Sequence, residues 1–182
     1  MLYVIVALKS EAQAFVDKYK LKKSKLNDFT MFFNKKIVLI VSGIGVYHAR
    51  VATQTLVNNF DIGDEDIYLN VGICASDKEH KIGELIDIGS ISYDDVIYEF
   101  KRAENILCLD KESSNKSDKL VDMESYGFYD AVIHSTAIKH FYILKIVSDN
   151  FEPHKITKEM TKTLIFNQLN AINKIIFKEE EI

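Results

Sequence analysis

The stretch Ile143 to Asn150, I-L-K-I-V-S-D-N, decides the fold together with V-D-M-E-S at Val121 to Ser125. Its apolar run is rich in Ile and Val and stops at Ser148 and Asp149, which predicts a buried strand that ends on a carboxylate. In open α/β sheets, ligands bind at the carboxyl ends of the strands. Asp149 is therefore the first candidate for chemistry. The alternative is that Asp149 caps the following turn or pairs with a nearby Lys.

Length and composition favour one globular domain over residues 1–182. Hydrophobic residues make up 47% and charged residues 27% of the chain, the proportions of an ordinary soluble domain. The net charge is −4 with the basic residues scattered, so we expect no nucleic-acid partner. No apolar run approaches the roughly 18 residues that span a bilayer, and no signal peptide is visible. We expect a cytoplasmic protein without a membrane partner.

The cysteines and histidines show no metal-binding pattern. Cys74 and Cys108 lack C-x-x-C spacing, and the five histidines form no H-E-x-x-H motif. We therefore expect two small buried thiols, no disulfide, no metal and no cofactor.

Strands and helices alternate along the chain, which predicts an α/β three-layer sandwich. Polar residues at 20–27 and 111–119 predict loops, the second of them mobile. The predicted strands cover residues 2–8, 29–33, 37–41, 67–73, 81–96, 105–109 and 141–147, and the predicted helices cover 9–19, 42–60, 122–139 and 157–177.

Two predicted helices begin where ligands commonly bind. Glu11 stands where the first strand passes into a helix, and Gly43 and Gly45 permit a tight turn before the next one. Backbone N–H groups at such turns can face an anion or a hydroxyl group. The alternative for Glu11 is a first-turn carboxylate that complements the helix dipole. The glycine motif lacks the third glycine of a dinucleotide fingerprint, because His48 occupies that position.

Five motifs occur in a characteristic order over nearly the whole chain. They are A-L-K-S-E-A, V-S-G-I-G-V-Y-H-A-R-V-A-T, N-V-G-I-C-A-S with K-I-G-E-L-I-D-I-G, V-D-M-E-S-Y-G, and I-V-S-D-N. In this order they resemble the nucleoside phosphorylase and nucleosidase superfamily, and within it the branch that cleaves methylthioadenosine and S-adenosylhomocysteine. The resemblance implies a three-layer α/β/α sandwich around a mixed central sheet.

The resemblance also implies roles for individual residues in cleaving the N-glycosidic bond of a purine nucleoside. Asp149 is similar to the general acid that protonates or hydrogen-bonds N7 of the purine as the base leaves. Glu124 is similar to the carboxylate that binds the ribose hydroxyls, with Met123 packed on the sugar. Glu11 is similar to the glutamate that activates the attacking water. The remaining residues of the implied substrate site are Ser148, Ile73, Cys74, Gly43 and Gly45.

The chain departs from the superfamily pattern at the substrate turn. N-V-G-I-C-A-S stands where nucleosidases have N-T-G-S-A-G-G, so Ile73 replaces a small polar residue and Ala75 and Ser76 replace two glycines. The segment between Val96 and Val121, which carries base recognition in the superfamily, is also shorter. We therefore expect a tight, less polar pocket. A phosphate-dependent phosphorylase and a degenerate nucleoside- or purine-binding homologue remain alternatives.

Arg50 and the aromatic segment Phe29 to Phe33 bear on the expected partners. Arg50 invites a phosphate-binding role, but it is not at a phosphate arginine position of the superfamily, and a surface position on its helix is the alternative. Successive strand side chains point to opposite faces, so the segment cannot bury all of its large residues in one core. We expect a homodimer that covers the remainder.

Overall fold

The computed structural model describes residues 1–112 and 119–177, which form a ten-stranded mixed sheet and four α-helices. A short 3-10 helix covers Pro153–Lys155. The strands are β1 (Leu2–Val6), β2 (Lys22–Leu26), β3 (Phe29–Phe33), β4 (Ile37–Val41), β5 (Ile67–Ser76), β6 (Leu85–Tyr93), β7 (Val96–Glu99), β8 (Glu104–Cys108), β9 (Leu120–Asp122) and β10 (His140–Asp149), and the helices are α1 (Lys9–Tyr19), α2 (Val46–Asn59), α3 (Ser125–Ile133) and α4 (Lys158–Phe177).

The centre of the sheet is parallel. β1 pairs in parallel with β4 and β5, and β5 pairs in parallel with β10. β6, β8 and β9 then link β10 back to β5, so five strands close into a ring. Because β1, β5 and β10 run the same way, their carboxyl ends meet at one edge, where ligands bind in such sheets.

Two helices cover each face of the sheet. The core on one face contains Phe15 of α1 and Leu169 of α4, and the core on the other contains Leu56 of α2 and Phe128 of α3. The side chains of β1 alternate between these two cores, as the period of a strand requires. The predicted three-layer sandwich around a mixed sheet is confirmed.

Helices α2 and α3 touch through a glycine. A Cβ atom added to Gly127 would lie only 2.0 Å from the carbonyl oxygen of Val46. A bare glycine therefore allows the two helix starts to lie side by side. This contact places the loop before α2 next to the loop before α3, and both loops border the site described below.

The predictions for residues 20–27 and for the third helix were wrong. Residues 20–27 were predicted to be a loop, but Lys22–Leu26 is strand β2, paired antiparallel with β3. Its lysines are exposed on an edge strand, where charged side chains are tolerated. The helix predicted from Asp122 to Lys139 covers only Ser125–Ile133, because Asp122 lies in β9 and pairs with β8.

The long strand predicted over residues 81–96 is shorter in the structure, because the chain turns after Tyr93 and forms a hairpin. β6 ends at Tyr93, and Asp94 and Asp95 turn the chain with φ angles of 53° and 61° before β7 begins. Gly89 coincides with an irregularity in the pairing of β6 with β8, as its sequence suggested. Most of the loop predicted at 111–119 lies outside the described residues, as does the end of the chain after Phe177.

Candidate active site

A cavity of about 160 Å³ opens at the edge where β1, β5 and β10 end. Among the described residues its lining carries no lysine, arginine or histidine, whereas five carboxylic acids border it. Seven of the nine residues predicted for the site line this cavity. They are Glu11, Ile73, Cys74, Met123, Glu124, Ser148 and Asp149.

Glu11 is almost fully buried, at 1% exposure. Its Oε2 accepts hydrogen bonds from the backbone N–H groups of Ala7 and Leu8, both at 2.9 Å, and its Oε1 accepts one from Ile73 at 3.0 Å. Since each carboxylate oxygen has two acceptor positions, the remaining one is on Oε1. Burial raises the pKa of this carboxyl group, although the three backbone N–H groups and Lys145 act to lower it. Glu11 therefore fixes the start of α1 and also borders the cavity.

Gly72 leaves open the space between Glu11 and Lys145. A Cβ atom at this position would lie 3.0 Å from Glu11 Oε1 and 3.6 Å from Lys145 Nζ. The remaining acceptor position of Glu11 is therefore on an oxygen that borders a small gap.

Glu124 lies in the loop between β9 and α3 and is 8% exposed. Its Oε1 accepts a hydrogen bond of 2.9 Å from the N–H of Gly45, in the turn before α2. Burial and the nearby Asp122 raise the pKa of Glu124 to about 7, although Lys145 and the Gly45 N–H act in the opposite direction. The carboxyl group thus changes its charge near neutral pH, and it can accept or donate hydrogen bonds there.

Asp149 ends β10, and an irregularity in the pairing turns it toward the cavity. Val147 pairs with Cys74 and Asp149 with Ala75, so Ser148 is the additional residue of a bulge in β10. Such bulges commonly redirect a side chain beside an active site. The Ser148 hydroxyl donates to Asp149 Oδ2 at 2.7 Å.

The alternative role considered for Asp149, capping of the turn that follows its strand, also corresponds to a contact in the structure. The backbone N–H of Glu152 donates to Asp149 Oδ1 at 2.7 Å, so this carboxylate caps the turn that follows β10. Both of its oxygens accept a hydrogen bond, which fixes the orientation of the group. One carboxylate therefore has a structural contact and a position on the cavity.

The two predicted glycines do not line the cavity. Gly43 donates its N–H to the carbonyl oxygen of Ala7, at 3.1 Å, and Gly45 donates to Glu124. Both have positive φ angles, 91° and 105°, which favour glycine. Ile44, between them, lines the cavity instead and is 51% exposed. The glycines shape the turn, and the side chain between them borders the opening.

Sequence reasoning missed Asp122 and Lys145. Asp122 lines the cavity, and Lys145 lies beneath it with its Nζ 2.7 Å from Asp122 Oδ2. A signal for Lys145 was present, because it is the single charged residue in the apolar run of β10. Asp122 carried a weaker signal, because an acidic residue three positions before Ser125 also fits the start of a helix.

Two further predictions concern Arg50 and the two cysteines. Arg50 forms an ion pair with Asp130, 2.7 Å from Nε to Oδ2, which joins α2 to α3. Cys74 and Cys108 are both buried free thiols, as predicted.

In the described part of the chain, no three His, Cys, Asp or Glu side chains are arranged to hold a metal ion. No helix there combines the length and the apolar character that crossing a membrane requires.

Comparison with known proteins rests on structure. No protein-family model matches the chain, and no curated protein sequence matches it. The methylthioadenosine/S-adenosylhomocysteine nucleosidase of Neisseria meningitidis, in complex with methylthio-immucillin-A, superimposes with a TM-score of 0.77 over 97% of this chain and 98% of that one, at 19% identity. The chain has the nucleoside phosphorylase/nucleosidase fold.

Other enzymes with this fold match to a similar extent. Futalosine hydrolase of Helicobacter pylori has a TM-score of 0.77 and 14% identity, with 97% of each chain covered. The Colwellia psychrerythraea nucleosidase, in complex with adenine, has a TM-score of 0.74 and 16% identity, with 93% of this chain and 94% of that one covered. The nucleosidase fold therefore extends over nearly all of this chain, despite very few identical residues.

Proposed function

We propose that this protein is a hydrolase that cleaves the N-glycosidic bond of a purine nucleoside of the methylthioadenosine or S-adenosylhomocysteine type. One observation carries the proposal: Glu11, Glu124 and Asp149 come from distant parts of the sequence and border one cavity in a chain with the nucleosidase fold. The three carboxyl groups have the chemistry that this reaction needs.

Cleavage of an N-glycosidic bond places positive charge on the ribosyl ring and negative charge on the departing base. Glu124 accepts hydrogen bonds from the ribose hydroxyls, and its negative charge stabilises the ring. Asp149, held by Ser148, acts as the general acid: it donates its carboxyl proton to N7 of the purine as the bond to the ribose breaks, and is left as a carboxylate. Glu11 removes a proton from the attacking water through Oε1, its oxygen with an open acceptor position.

Electrostatics favours water over phosphate as the nucleophile. The cavity is bordered by five carboxylic acids, and its described lining contains no cationic side chain. Lys145 is fully buried against Asp122, and Arg50 is paired with Asp130. A phosphate dianion placed beside these carboxylates would be repelled without a compensating cation. The phosphorylase alternative therefore has less support than hydrolysis.

A second candidate function is binding of a nucleoside or purine base without turnover. Ligand pockets commonly measure about 300–1,000 Å³, whereas this cavity measures about 160 Å³. Ile73 contributes to the small size, since it lines the cavity at the position where the superfamily pattern has a small polar residue. The small volume favours a compact ligand, and it is the observation that supports a binding role.

Purine release from a panel of nucleosides, with and without inorganic phosphate, distinguishes the candidates. The panel contains methylthioadenosine, S-adenosylhomocysteine, adenosine and inosine. The hydrolase releases the base from at least one of them at a rate that phosphate does not change. Release that requires phosphate would support the phosphorylase. Binding of a nucleoside or its free base in calorimetry, with no release, would support the degenerate homologue.

We also propose that the protein is a cytoplasmic homodimer. In β3, Met31 is buried, Phe29 and Phe32 are partly buried, and Phe33 is 38% exposed. The strand therefore leaves part of its aromatic surface uncovered by the described residues. A two-fold dimer is the commonest way to cover such surface.

A further inference from the structure

A buried ion pair lies at the cavity, with Asp122 in its lining and Lys145 behind Asp122, and the proposed reaction makes no use of it. Lys145 is 0% exposed on β10, and Asp122 is 5% exposed at the end of β9. Lys145 Nζ lies 2.7 Å from Asp122 Oδ2. A buried ion pair is not in general favoured over apolar residues of the same size, because both charges lose their hydration. Its presence beside a cavity therefore suggests a role other than stability.

Asp122 connects the pair to the residues that carry Glu124. Its Oδ2 accepts a hydrogen bond from the Ser125 N–H at 3.0 Å and from the Ser125 hydroxyl at 2.5 Å, and the Glu124 N–H approaches it at 3.4 Å. The start of α3 is thus tied to the carboxylate that Lys145 binds. The other oxygen, Oδ1, has no hydrogen-bond partner within the described residues.

Among the residues that the structure describes, the charged and titratable groups around Glu124 include a single cation. The described groups that face it are Asp122 on β9, Lys145 on β10, Glu11 on α1 and Cys108 on β8, together with the Gly45 N–H. Asp122 and Glu11 oppose ionisation of Glu124, whereas Lys145 favours it. Removing either member of the ion pair would therefore change the charge of Glu124, and the two removals would act in opposite directions.

We propose that Asp122 and Lys145 are the positioning residues of this site: they hold the segment that carries Glu124 and set the charge of its carboxyl group. Lys145 offsets part of the effect that Asp122 has on the charge of Glu124. The inference rests on the proposed function only in naming a ribose as the group that Glu124 binds. The position and charge of Glu124 are properties of the protein alone.

The carboxyl group of Glu124 can be titrated directly by NMR in protein labelled with ¹³C at the glutamate side-chain carboxyl. The Glu124→Gln spectrum assigns the signal by its loss. The titration midpoint is then compared in Lys145→Met and Asp122→Asn, each close in size to the residue it replaces. Lys101→Met is the matched control, because Lys101 forms an ion pair with Asp87 and neither residue lines the cavity.

We expect the midpoint to rise by about one pH unit or more in Lys145→Met and to fall by a similar amount in Asp122→Asn, since a charge this close commonly has effects of this size. Lys101→Met should leave it unchanged. Midpoints that stay at the wild-type value, or that move in the same direction in both variants, would overturn the proposal. If Lys145→Met does not fold by circular dichroism, Lys145→Arg takes its place: the Arg variant must keep the wild-type midpoint while Asp122→Asn lowers it.

A second measurement connects the charge of Glu124 to the reaction. The acidic limb of kcat/KM for methylthioadenosine should move with the NMR midpoint, upward in Lys145→Met and downward in Asp122→Asn. A limb that stays fixed while the midpoint moves would contradict the proposed role. If the wild type releases no adenine, the proposed function fails, and the NMR titration still decides whether the ion pair sets the charge of Glu124.

Discussion

The surroundings of Glu124 disfavour the ionised form of its carboxyl group. Replacing Glu124 with Gln should therefore stabilise the protein at neutral and alkaline pH. Its pKa in the folded protein is about 7, compared with an ordinary value of 4.5. Well below pH 4.5 the carboxyl is protonated in both the folded and the unfolded chain. As the pH rises from 4.5 to 7, the unfolded chain loses this proton first, and the folded state becomes relatively less stable.

The size of the effect follows from the difference of about 2.5 pH units. Each pH unit of this difference corresponds to about 1.4 kcal/mol. The charged Glu124 therefore lowers the free energy of unfolding by about 3 kcal/mol above pH 7. Gln has nearly the same shape and keeps a carbonyl oxygen that can accept from the Gly45 N–H. We therefore expect Glu124→Gln to be more stable than the wild type by about 1 kcal/mol at pH 5 and by about 3 kcal/mol at pH 8.

Urea denaturation at both pH values, followed by circular dichroism, measures this difference. The free energy of unfolding of the wild type is subtracted from that of the variant. The difference isolates the contribution of Glu124, because the other titrating groups are common to both proteins. Glu99→Gln, on an exposed position of β7, is the control and should change stability equally little at both pH values. A gain that does not grow between pH 5 and pH 8, or a loss of stability at pH 8, would refute the reasoning.

Three other substitutions and one measurement on the wild type have defined outcomes. Asp149→Asn should keep the fold and lower kcat for adenine release by about 10²–10⁴, because an amide supplies no proton; near-wild-type kcat would exclude Asp149 as the acid. Glu11→Gln should abolish hydrolysis, and activity that survives only with added phosphate would indicate a phosphorylase. Gly127→Ala should lower the free energy of unfolding by about 1–3 kcal/mol, since its methyl group would collide with the Val46 carbonyl oxygen; an unchanged thermal midpoint would contradict this contact. Sedimentation at tens of micromolar should give twice the 20.9 kDa monomer mass, and a single monomeric species would contradict the dimer that covers Phe33.

The sequence was most informative where an apolar run ended on a polar residue. The Ile- and Val-rich run of β10 predicted a buried strand, and the structure places Asp149 at its end on the cavity edge. The periodic apolar positions of α4 similarly predicted its range to within one residue. These features depend on neighbours in the sequence, so local patterns were sufficient to predict them.

Features that depend on distant partners could not be predicted in this way. β2 contains three lysines in five residues, and only pairing with β3 makes it a strand. Asp122 belongs to a three-residue strand whose partners are β5 and β8, so its position before a helix was misleading. The contact between Asp122 and Lys145 joins residues 23 positions apart on different strands. Whether two such residues form a pair depends on burial and on the order of the strands in the sheet, and neither can be predicted from a local sequence pattern.

The most direct test of the proposed reaction is the origin of the oxygen on the released sugar. Methylthioadenosine is incubated with the protein in H₂¹⁸O containing phosphate, and the products are analysed by mass spectrometry. Hydrolysis predicts adenine together with methylthioribose that carries one ¹⁸O atom at C1′, and Glu11→Gln should yield neither. A sugar phosphate without ¹⁸O, or intact methylthioadenosine after prolonged incubation with the folded protein, would contradict the account.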